Sequence, residues 1–597
     1  MQMRSQETDL GTLPEWNLAD LYPGPDSPAL ERDIEACARE AEALESAWKG
    51  KLDQADGDGL AAAIAGYENL DERVSRILSY GQLLYAGAVS DPEIARFNQT
   101  LSERMNAISV KTLFFTLEIN RLDDAGLAGM LAASPALQRW EPWLRDTRAY
   151  RPHQLADDLE KLLYEKYVTG RAAWTRLFEE TLANLRFQAG SSELTLTETL
   201  SRLSDREKSV RREAAYALSE GLNSELRIFS LVTNTLAKDK EIEDRWRGFA
   251  RPVSSRNLNN LVEDEVVDAL AEAVRSSYGD LSHRYYALKA RWMGQEQLEF
   301  YDRLAPLPDE DDRRIPWKEA EATVLDAYGA FSPELADIGS RFFKNAWIDA
   351  APRPGKSSGA FAHPVVPSAH PYLLMNYQGR PRDVMTLAHE LGHGVHQILA
   401  GQTQGHFLAN TPLTLAETAS VFGEMLTFQS LLKRTTDPHK RRVMLASKLE
   451  DMLNTVVRQI AFYEFERRIH DARRKGELSA QDICEHWMAV SRESLGPAVK
   501  LEDAYRVYWS YIHHFIGSPF YVYAYAFGDC LVNSLYSLYE ESEQGFARKY
   551  LDLLRAGGSL RHKELLAPFG LDASDPAFWQ RGLGVLRRFL KELEDTF

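Results

Sequence analysis

The sequence DVMTLAHELGHGVHQILA, from Asp383 to Ala400, predicts a helix that carries a metal-binding motif. His389-Glu390-Leu-Gly-His393 within it fits the pattern H-E-x-x-H. Residues i and i+4 of an α-helix lie about 40° apart around its axis, so both imidazoles can face one metal ion. Glu390 then lies beside the ion, where its carboxylate can take a proton from an attacking water. The motif therefore predicts a zinc site with a general base.

The residues around the motif predict where this helix begins and ends. Pro381 and Asp383 suit a first turn, and Gly401 predicts the C-terminal end. Apolar residues on several sides predict a buried helix. Gly392 needs an explanation, because glycine inside a helix costs about 1 kcal/mol relative to alanine. Close approach of another backbone or of a substrate would supply it, whereas the alternative interpretation is a helix with core histidines.

A catalytic zinc ion usually has three protein ligands, so a third is expected after the motif. His396 is seven residues beyond His389 on the same helical face, but one turn further along, which makes the same ion awkward to reach. A second helix, predicted from Thr414 to about Arg434, presents Glu417 and Glu424 on one face. We favour Glu417 as the third ligand and Glu424 as the carboxylate that hydrogen-bonds a ligating histidine.

Glu417 has an alternative structural role, because Thr414-Leu-Ala-Glu417 also fits a capping box. That box would use the same carboxylate.

The stretch from 370 to 377, just before the metal-binding helix, predicts an extended strand. A free edge on it could pair with the backbone of an extended peptide, whereas the alternative is a core strand. Most of the remaining chain has helical periodicity. Proline, serine and asparagine predict a loop from Gly248 to Asn260.

Eight tyrosines lie between residues 505 and 539, and the densest part is HHFIGSPFYVYAYAFG, from His513 to Gly528. Aromatic stripes are most often core. A buried phenol nevertheless needs a hydrogen-bond partner, and an oxyanion intermediate needs donors. The cluster is therefore a candidate for the second part of a hydrolytic site.

Composition excludes several classes of protein. The chain has 597 residues and a net charge of −18 without a basic tract, which argues against nucleic acid or an anionic membrane as partner. Its three cysteines are far apart, which excludes a disulfide framework and a thiolate zinc site. The N-terminus has no apolar signal region, and no run reaches the roughly 18 apolar residues of a membrane span. A cytoplasmic location is expected.

Several stretches in the same order resemble the oligoendopeptidase F branch of the thimet oligopeptidase-like metallopeptidases. They are HPYLLMNYQG with DVMTLAHELGHGVH, then AETASVFGE, then HHFIGSPFYVYAYAFG. LPEWNLADLYPG, LEKLLYEKYVTGRAAW and RGFARPVSSRNLNN are also similar, so the likeness covers most of the chain.

The resemblance implies an almost entirely helical zincin fold, with a small β-element beside the H-E-x-x-H helix. Two halves would enclose a deep channel, with zinc at its floor, that admits short unstructured peptides. Residues 1–200 would form an N-terminal helical domain in the channel wall, and residues 201–597 the catalytic domain.

The resemblance also implies roles for individual residues. His389, His393 and Glu417 match the zinc ligands and Glu390 the catalytic base. His514, Tyr521 and Tyr525 match residues that bind substrate and the transition state, with Tyr523 a further candidate. His514 is preferred to His513 because it directly precedes Phe515.

The expected function is hydrolysis of oligopeptides by an endopeptidase with one Zn²⁺ per chain. One alternative is a zinc carboxypeptidase or dipeptidyl carboxypeptidase of similar fold, which needs a cation such as Arg506 for the substrate's C-terminus. Another is a helical peptide-binding protein with an inactive site. Neither nucleic acid nor a membrane is an expected partner, and the chain could be a monomer or a dimer.

Overall fold

The computed structural model describes residues 10–167, 169–307, 314–542 and 544–597, and these are mostly helical. Short strands occur between the helices, whereas the sequence predicts only the one within residues 370–377. Within the described residues, no helix has both the length and the apolar character needed to cross a membrane. The three cysteines Cys37, Cys484 and Cys530 are buried and free.

The α-helices follow one another along the whole chain. In the first half they are α1 (Pro28–Trp48), α2 (Gly57–Gly87), α3 (Pro92–Arg121), α4 (Asp124–Ala133), α5 (Pro135–Gln138), α6 (Glu141–Arg148), α7 (Asp157–Tyr167), α8 (Arg171–Asn184), α9 (Leu196–Arg202), α10 (Lys208–Ser224), α11 (Leu226–Arg247), α12 (Ser254–Asn259), α13 (Asp264–Ser276) and α14 (Ser282–Trp292). In the second half they are α15 (Trp317–Phe331), α16 (Pro333–Lys344), α17 (Pro381–Gln404), α18 (His406–Ala409), α19 (Leu413–Ala416), α20 (Thr418–Arg434), α21 (Pro438–Thr455), α22 (Val457–Lys475), α23 (Ala480–Leu495), α24 (His514–Gly517), α25 (Tyr523–Glu541), α26 (Phe546–Arg555), α27 (His562–Leu566) and α28 (Pro576–Glu594).

The strands are two or three residues long. They are β1 (Phe187–Ala189), β2 (Ser192–Leu194), β3 (Leu298–Glu299), β4 (Ile348–Asp349), β5 (Phe361–His363), β6 (Tyr372–Leu374) and β7 (Val499–Lys500). Short 3-10 helices cover Leu18–Asp20, Leu52–Gln54, Arg151–His153, Phe300–Asp302, Asp503–Tyr511 and Ala567–Phe569.

The chain forms two compact units, each assembled from three segments. The described residues of unit 1 fall within Met1–Arg151, Asp312–Arg434 and Tyr539–Gly570. Those of unit 2 fall within Pro152–Asp311, Thr435–Leu538 and Leu571–Phe597. The predicted division of roles at residue 200 stays a prediction.

The core of unit 1 joins the N-terminal helices to the strand that precedes α17. Apolar side chains of α1 to α6 form one buried cluster, to which Val365, Val366 and Tyr372 also belong. Tyr372 is fully buried, and its hydroxyl donates to the backbone oxygen of Asn17 at 2.7 Å. Burial of this apolar surface is the main force that holds these distant segments together.

The strand before α17 forms as predicted, but it has no free edge. β6 lies in the middle of a three-stranded sheet, parallel to β4 and antiparallel to β5. Leu373 is opposite Ile348 on one side and Ala362 on the other. The proposed pairing of this strand with a peptide is therefore wrong, and the core interpretation is correct.

α17 begins at Pro381 as predicted but continues past Gly401 to Gln404. Gly401 is buried inside the helix against Pro367. The helix ends before Gly405, whose φ of +79° is easily adopted only by glycine. The predicted loop from Gly248 to Asn260 likewise contains a helix, α12.

Unit 2 is built around the pairs α11–α22 and α22–α23, with the 3-10 helix Asp503–Tyr511 packed on α10 and α23. In its apolar core the ring of Trp487 contacts those of Phe462 and Phe465, and both phenylalanines contact Phe515. This packing supports the segment that carries His514.

Candidate active site

Gly392 allows the backbones of α17 and α20 to come into direct contact. A Cβ atom at this position would lie 2.5 Å from the backbone oxygen of Ala419 and 2.7 Å from Cα of Ser420. No side chain fits there, which explains a glycine inside a buried helix. The crossing brings residues 417–424 beside the H-E-x-x-H motif.

Tyr328 of α15 holds the same two helices from a third side. Its hydroxyl donates to the backbone oxygen of Ala388 on α17 at 2.6 Å. On α20, a Cβ at Gly423 would overlap with that hydroxyl oxygen. A second glycine is thus required for the same assembly.

The side chains of His389, His393 and Glu417 converge on one point. Glu417 Oε2 lies 3.2 Å from Nε2 of His389 and 3.5 Å from Nε2 of His393. One ligand atom from each residue can be chosen so that all lie within 4.8 Å of one another. Two imidazoles and a carboxylate are a frequent donor set for catalytic zinc, so these residues fit the predicted metal.

Glu417 reaches this point because the predicted helix is broken at this residue. α19 ends at Ala416 and α20 begins at Thr418, with Glu417 at φ −77° and ψ −1° between them. Since α19 begins after Pro412 and its cap has no side-chain hydrogen bond, the predicted capping box does not form. The carboxylate is therefore directed to the histidines.

Ser420 completes the surroundings of Glu417, and the sequence interpretation missed it. Its hydroxyl donates to Glu417 Oε2 at 2.8 Å. The sequence signal for this contact is that Ser420 follows Glu417 by three residues, a spacing that brings two side chains together on a helix.

Glu424 lies where the sequence predicts, with Oε2 3.4 Å from Nδ1 of His389. Burial opposes a charge on His389, but the contacts with Glu417 and Glu424 raise its pKa to about 10. Burial also opposes a charge on Glu417, yet the hydrogen bond from His389 and the charge of His393 lower the pKa of Glu417 to about 2. Glu417 is therefore ionised at neutral pH, as a metal ligand must be.

His396 is buried one turn beyond the motif and is not part of the converging group. Burial lowers its pKa to about 4.

Glu390 is 7% exposed, and burial raises its pKa to about 7. The charge of His389 opposes this rise, and that of Glu417 adds to it. Glu390 stands next to His389 without joining the donor set.

A second polar group lies in unit 2 and consists of His514, Tyr521 and Tyr525. The hydroxyl of Tyr525 is 3.3 Å from Nε2 of His514. The three rings lie 5.3 to 5.9 Å apart, centroid to centroid. The neighbouring His513 side chain is 56% exposed and approaches Glu179 at 3.7 Å. The structure therefore groups His514, and not His513, with the tyrosines.

Tyr523 is a core residue, which corrects its inclusion among the candidates. It is fully buried, and its hydroxyl accepts a hydrogen bond from Nδ2 of Asn260 at 2.8 Å. Its ring packs on Tyr463. Tyr523 is the first residue of the helix that carries Tyr525, but the two side chains have different surroundings.

Three side chains hold the backbone of the loop between His514 and Tyr521. Glu466 accepts the N–H of Phe520 at 2.7 Å, and Phe520 has a φ of +59°. Arg256 donates to the oxygen of Pro519 at 3.1 Å, and Arg171 to that of Ile516 at 2.9 Å. Sequence reasoning missed all three roles, since each residue is more than 50 positions from its partner, although Arg171 and Arg256 lie within the stretches LEKLLYEKYVTGRAAW and RGFARPVSSRNLNN.

Arg506, considered as a cation for a substrate C-terminus, has partners within unit 2. Its guanidinium lies 3.3 Å from a carboxylate oxygen of Asp503 and 3.4 Å from the amide oxygen of Asn223. The carboxylate of Asp503 partly neutralises its charge.

Comparison with known proteins identifies the family of this chain. Residues 201–585 match the model of peptidase family M3, and residues 118–187 match that of oligopeptidase F. Oligopeptidase PepF of Bacillus subtilis is 24% identical over 587 residues, which cover 97% of this chain and 87% of the relative. An oligoendopeptidase F homolog of Borreliella burgdorferi is 25% identical over 537 residues, covering 89% and 90%.

Solved structures share the fold. The crystal structure of oligoendopeptidase-F from Enterococcus faecium matches with a TM-score of 0.73 at 22% identity, covering 95% of this chain and 98% of that one. A structure from Chlamydophila abortus gives a TM-score of 0.87 at 21% identity, covering 98% of both chains. The family match covers more than half of the chain, includes the H-E-x-x-H helix and agrees with the helical fold, so this chain belongs to peptidase family M3.

Proposed function

We propose that this M3 peptidase is a zinc-dependent endopeptidase that hydrolyses short, unstructured oligopeptides. The observation that carries the proposal is the convergence of His389, His393 and Glu417 beside the buried carboxylate of Glu390. Two protein nitrogens and one oxygen leave room for a water or a substrate at a tetrahedral metal.

The zinc ion would be held by His389, His393 and Glu417. When bound, zinc supplies a Lewis acid that polarises the scissile carbonyl and lowers the pKa of water. Glu424 orients His389, and Ser420 orients Glu417, through the contacts described above. These two contacts hold the ligand atoms of His389 and Glu417 in position for metal binding.

Glu390 acts as the general base. Its carboxylate takes the proton from the attacking water and then passes it to the leaving amine. Its burial keeps competing solvent away from the carboxylate, which suits a proton carrier.

We assign peptide binding and oxyanion stabilisation to His514, Tyr521 and Tyr525, because they match the family motif and form one polar group. A phenol can donate to an oxyanion or to the substrate backbone.

Residues 1–200 are proposed as channel wall and residues 201–597 as the catalytic domain. Three free cysteines support a cytoplasmic location.

The test is cleavage of an internally quenched peptide blocked at both ends, with and without a zinc chelator. We expect cleavage that the chelator abolishes and added zinc restores. Cleavage only after the C-terminus is unblocked would instead support a carboxypeptidase. Peptide binding without cleavage of either substrate, together with zinc content near zero, would support the inactive binding protein.

A further inference from the structure

Unit 2 contains a small cavity that the proposed hydrolytic reaction does not use. It lies between α14, α22, α23 and the 3-10 helix Asp503–Tyr511, and its volume is about 20 Å³. That space accepts one particle the size of a water molecule. Two arginines, Arg303 and Arg458, line it together with Tyr286 and Tyr505.

Arg303 is buried, with 8% of its surface exposed, and its hydrogen-bond partners are neutral. They are the amide oxygen of Asn454 at 3.3 Å and the hydroxyl of Tyr286. Burial raises the pKa of Tyr286 and of Tyr505, so neither phenol supplies a negative charge at neutral pH.

Arg458 is half-buried, and its guanidinium lies over the ring of Phe462, 5.0 Å from the ring centroid. Among the described residues, neither Arg303 nor Arg458 forms an ion pair with a carboxylate. The described lining of the cavity therefore carries two positive groups and no carboxylate.

Other buried cations of unit 2 have a carboxylate partner, which Arg303 and Arg458 lack among the described residues. Arg211 meets the carboxylate of Asp302 at 2.7 Å, and Lys289 meets that of Glu450 at 2.5 Å. A buried charge is strongly destabilising unless an opposite charge accompanies it. An anion from solution would therefore stabilise Arg303 and Arg458 at the cavity.

We propose that this cavity binds a single halide ion, chloride under ordinary conditions, between Arg303 and Arg458. A neutral water would leave the two positive charges uncompensated. Phosphate, sulfate and carboxylates are too large for the volume, whereas a monatomic anion is close to the size of water.

Such an ion would stabilise the part of unit 2 that supports His514. Phe462 lines the cavity and contacts the ring of Phe515, the residue after His514, at 5.4 Å. Trp487, also on the lining, donates from its indole to the backbone oxygen of Tyr505 at 3.1 Å. The inference does not depend on the proposed peptidase activity.

The experiment is thermal unfolding of the full chain in sodium chloride, bromide or gluconate at constant ionic strength. Chloride and bromide should raise Tm saturably, by about 2 °C or more over gluconate, because they bind only the folded state. Arg458→Met should abolish the difference between halide and gluconate. Arg227→Met, at an exposed position of α11, is the matched control and should keep it.

Bromide also provides a direct readout through its anomalous X-ray scattering in crystals grown with sodium bromide. A peak between Arg303 and Arg458 that disappears in Arg458→Met would support the site. Equal Tm values in halide and gluconate, an equal response of wild type and Arg458→Met, or the lack of a bromide peak would each overturn it. Since Arg303→Met is at risk of misfolding, Arg458→Met carries the test.

Discussion

Glu390 stands beside the metal ligands without belonging to them, so its role can be separated from metal binding. Glu390→Gln keeps the size of the side chain but removes its ability to accept a proton. We expect the variant to retain zinc and to lose activity by about 10²-fold to 10⁴-fold, the usual contribution of a general base. Measuring kcat/KM on the blocked peptide alongside zinc content by mass spectrometry tests this.

The exposed Glu93 on α3 offers a matched control, and Glu93→Gln should leave both quantities unchanged. A Glu390→Gln enzyme that cleaves within about tenfold of wild type would contradict the assignment of the base.

Glu424 acts on the metal through His389, so its removal should weaken binding without removing a ligand. Glu424→Gln replaces the carboxyl partner of Nδ1 by a neutral amide. We expect zinc affinity to fall by about 10-fold to 100-fold, as measured by competition with a chromophoric chelator, and excess zinc to restore cleavage. An unchanged affinity would show that the 3.4 Å contact has no effect on the ligand.

At single residues, sequence reasoning succeeded where a side chain had one chemical use. The H-E-x-x-H spacing predicts that His389 and His393 lie side by side, and their ring centroids are 4.9 Å apart because helical geometry alone brings them together. Glu417 had two possible uses, and only the break between α19 and α20 decides between them. Tyr523 differs from Tyr521 and Tyr525 through its tertiary partner Asn260, which no local pattern shows.

Among the elements, the crossing of α17 and α20 makes a prediction about Gly392. Gly392→Ala would place a Cβ 2.5 Å from the backbone of Ala419, so α20 must shift together with Glu417. We expect a loss of about 1–3 kcal/mol in unfolding free energy and weaker zinc retention. Chemical denaturation and zinc analysis measure the two effects.

Gly129 on α4 is the control, because a Cβ atom added there would have no other atom within 4 Å among the described residues. Gly129→Ala should be neutral or stabilise by up to about 1 kcal/mol. If Gly392→Ala behaved in the same way, the helices would not need their close contact.

The loop that carries Tyr521 depends on Glu466, whose pKa burial raises to about 8 from an ordinary value of 4.5. The folded state thus keeps Glu466 protonated while the unfolded state ionises above about pH 4.5. Its contribution to stability is complete below that pH and is lost as pH rises through about 8. We expect wild type to lose about 1.4 kcal/mol per pH unit relative to Glu466→Gln between these limits.

Denaturation curves of both proteins from pH 5.5 to 8 provide the measurement. The glutamine retains an oxygen that can accept the N–H of Phe520, so the loop contact is preserved. A constant difference in unfolding free energy across this range would contradict the buried, protonated state.

The existence of the helices could be predicted from periodicity, but their ends and partners could not. α17 continues past Gly401 because Pro367 covers that position, a contact made by residues 34 positions away. β6 is flanked on both sides because β4 and β5 arrive from earlier in the chain. Tertiary contacts of this kind leave no mark on the local sequence.

At the scale of the whole molecule, the predicted family and helical fold are confirmed. Three motifs in the expected order carried that prediction. Each compact unit combines three separate segments, an arrangement that composition and loop signals along the chain do not reveal. The channel between two halves and the division at residue 200 stay predictions.

We propose that one zinc ion held by His389, His393 and Glu417 carries the peptidase activity. The most direct measurement is zinc content per chain, alongside cleavage of the doubly blocked peptide, for wild type and Glu417→Gln. We predict one zinc ion per wild-type chain, with zinc and cleavage lost together in the variant. A Glu417→Gln protein that holds zinc and cleaves as wild type does would contradict the account.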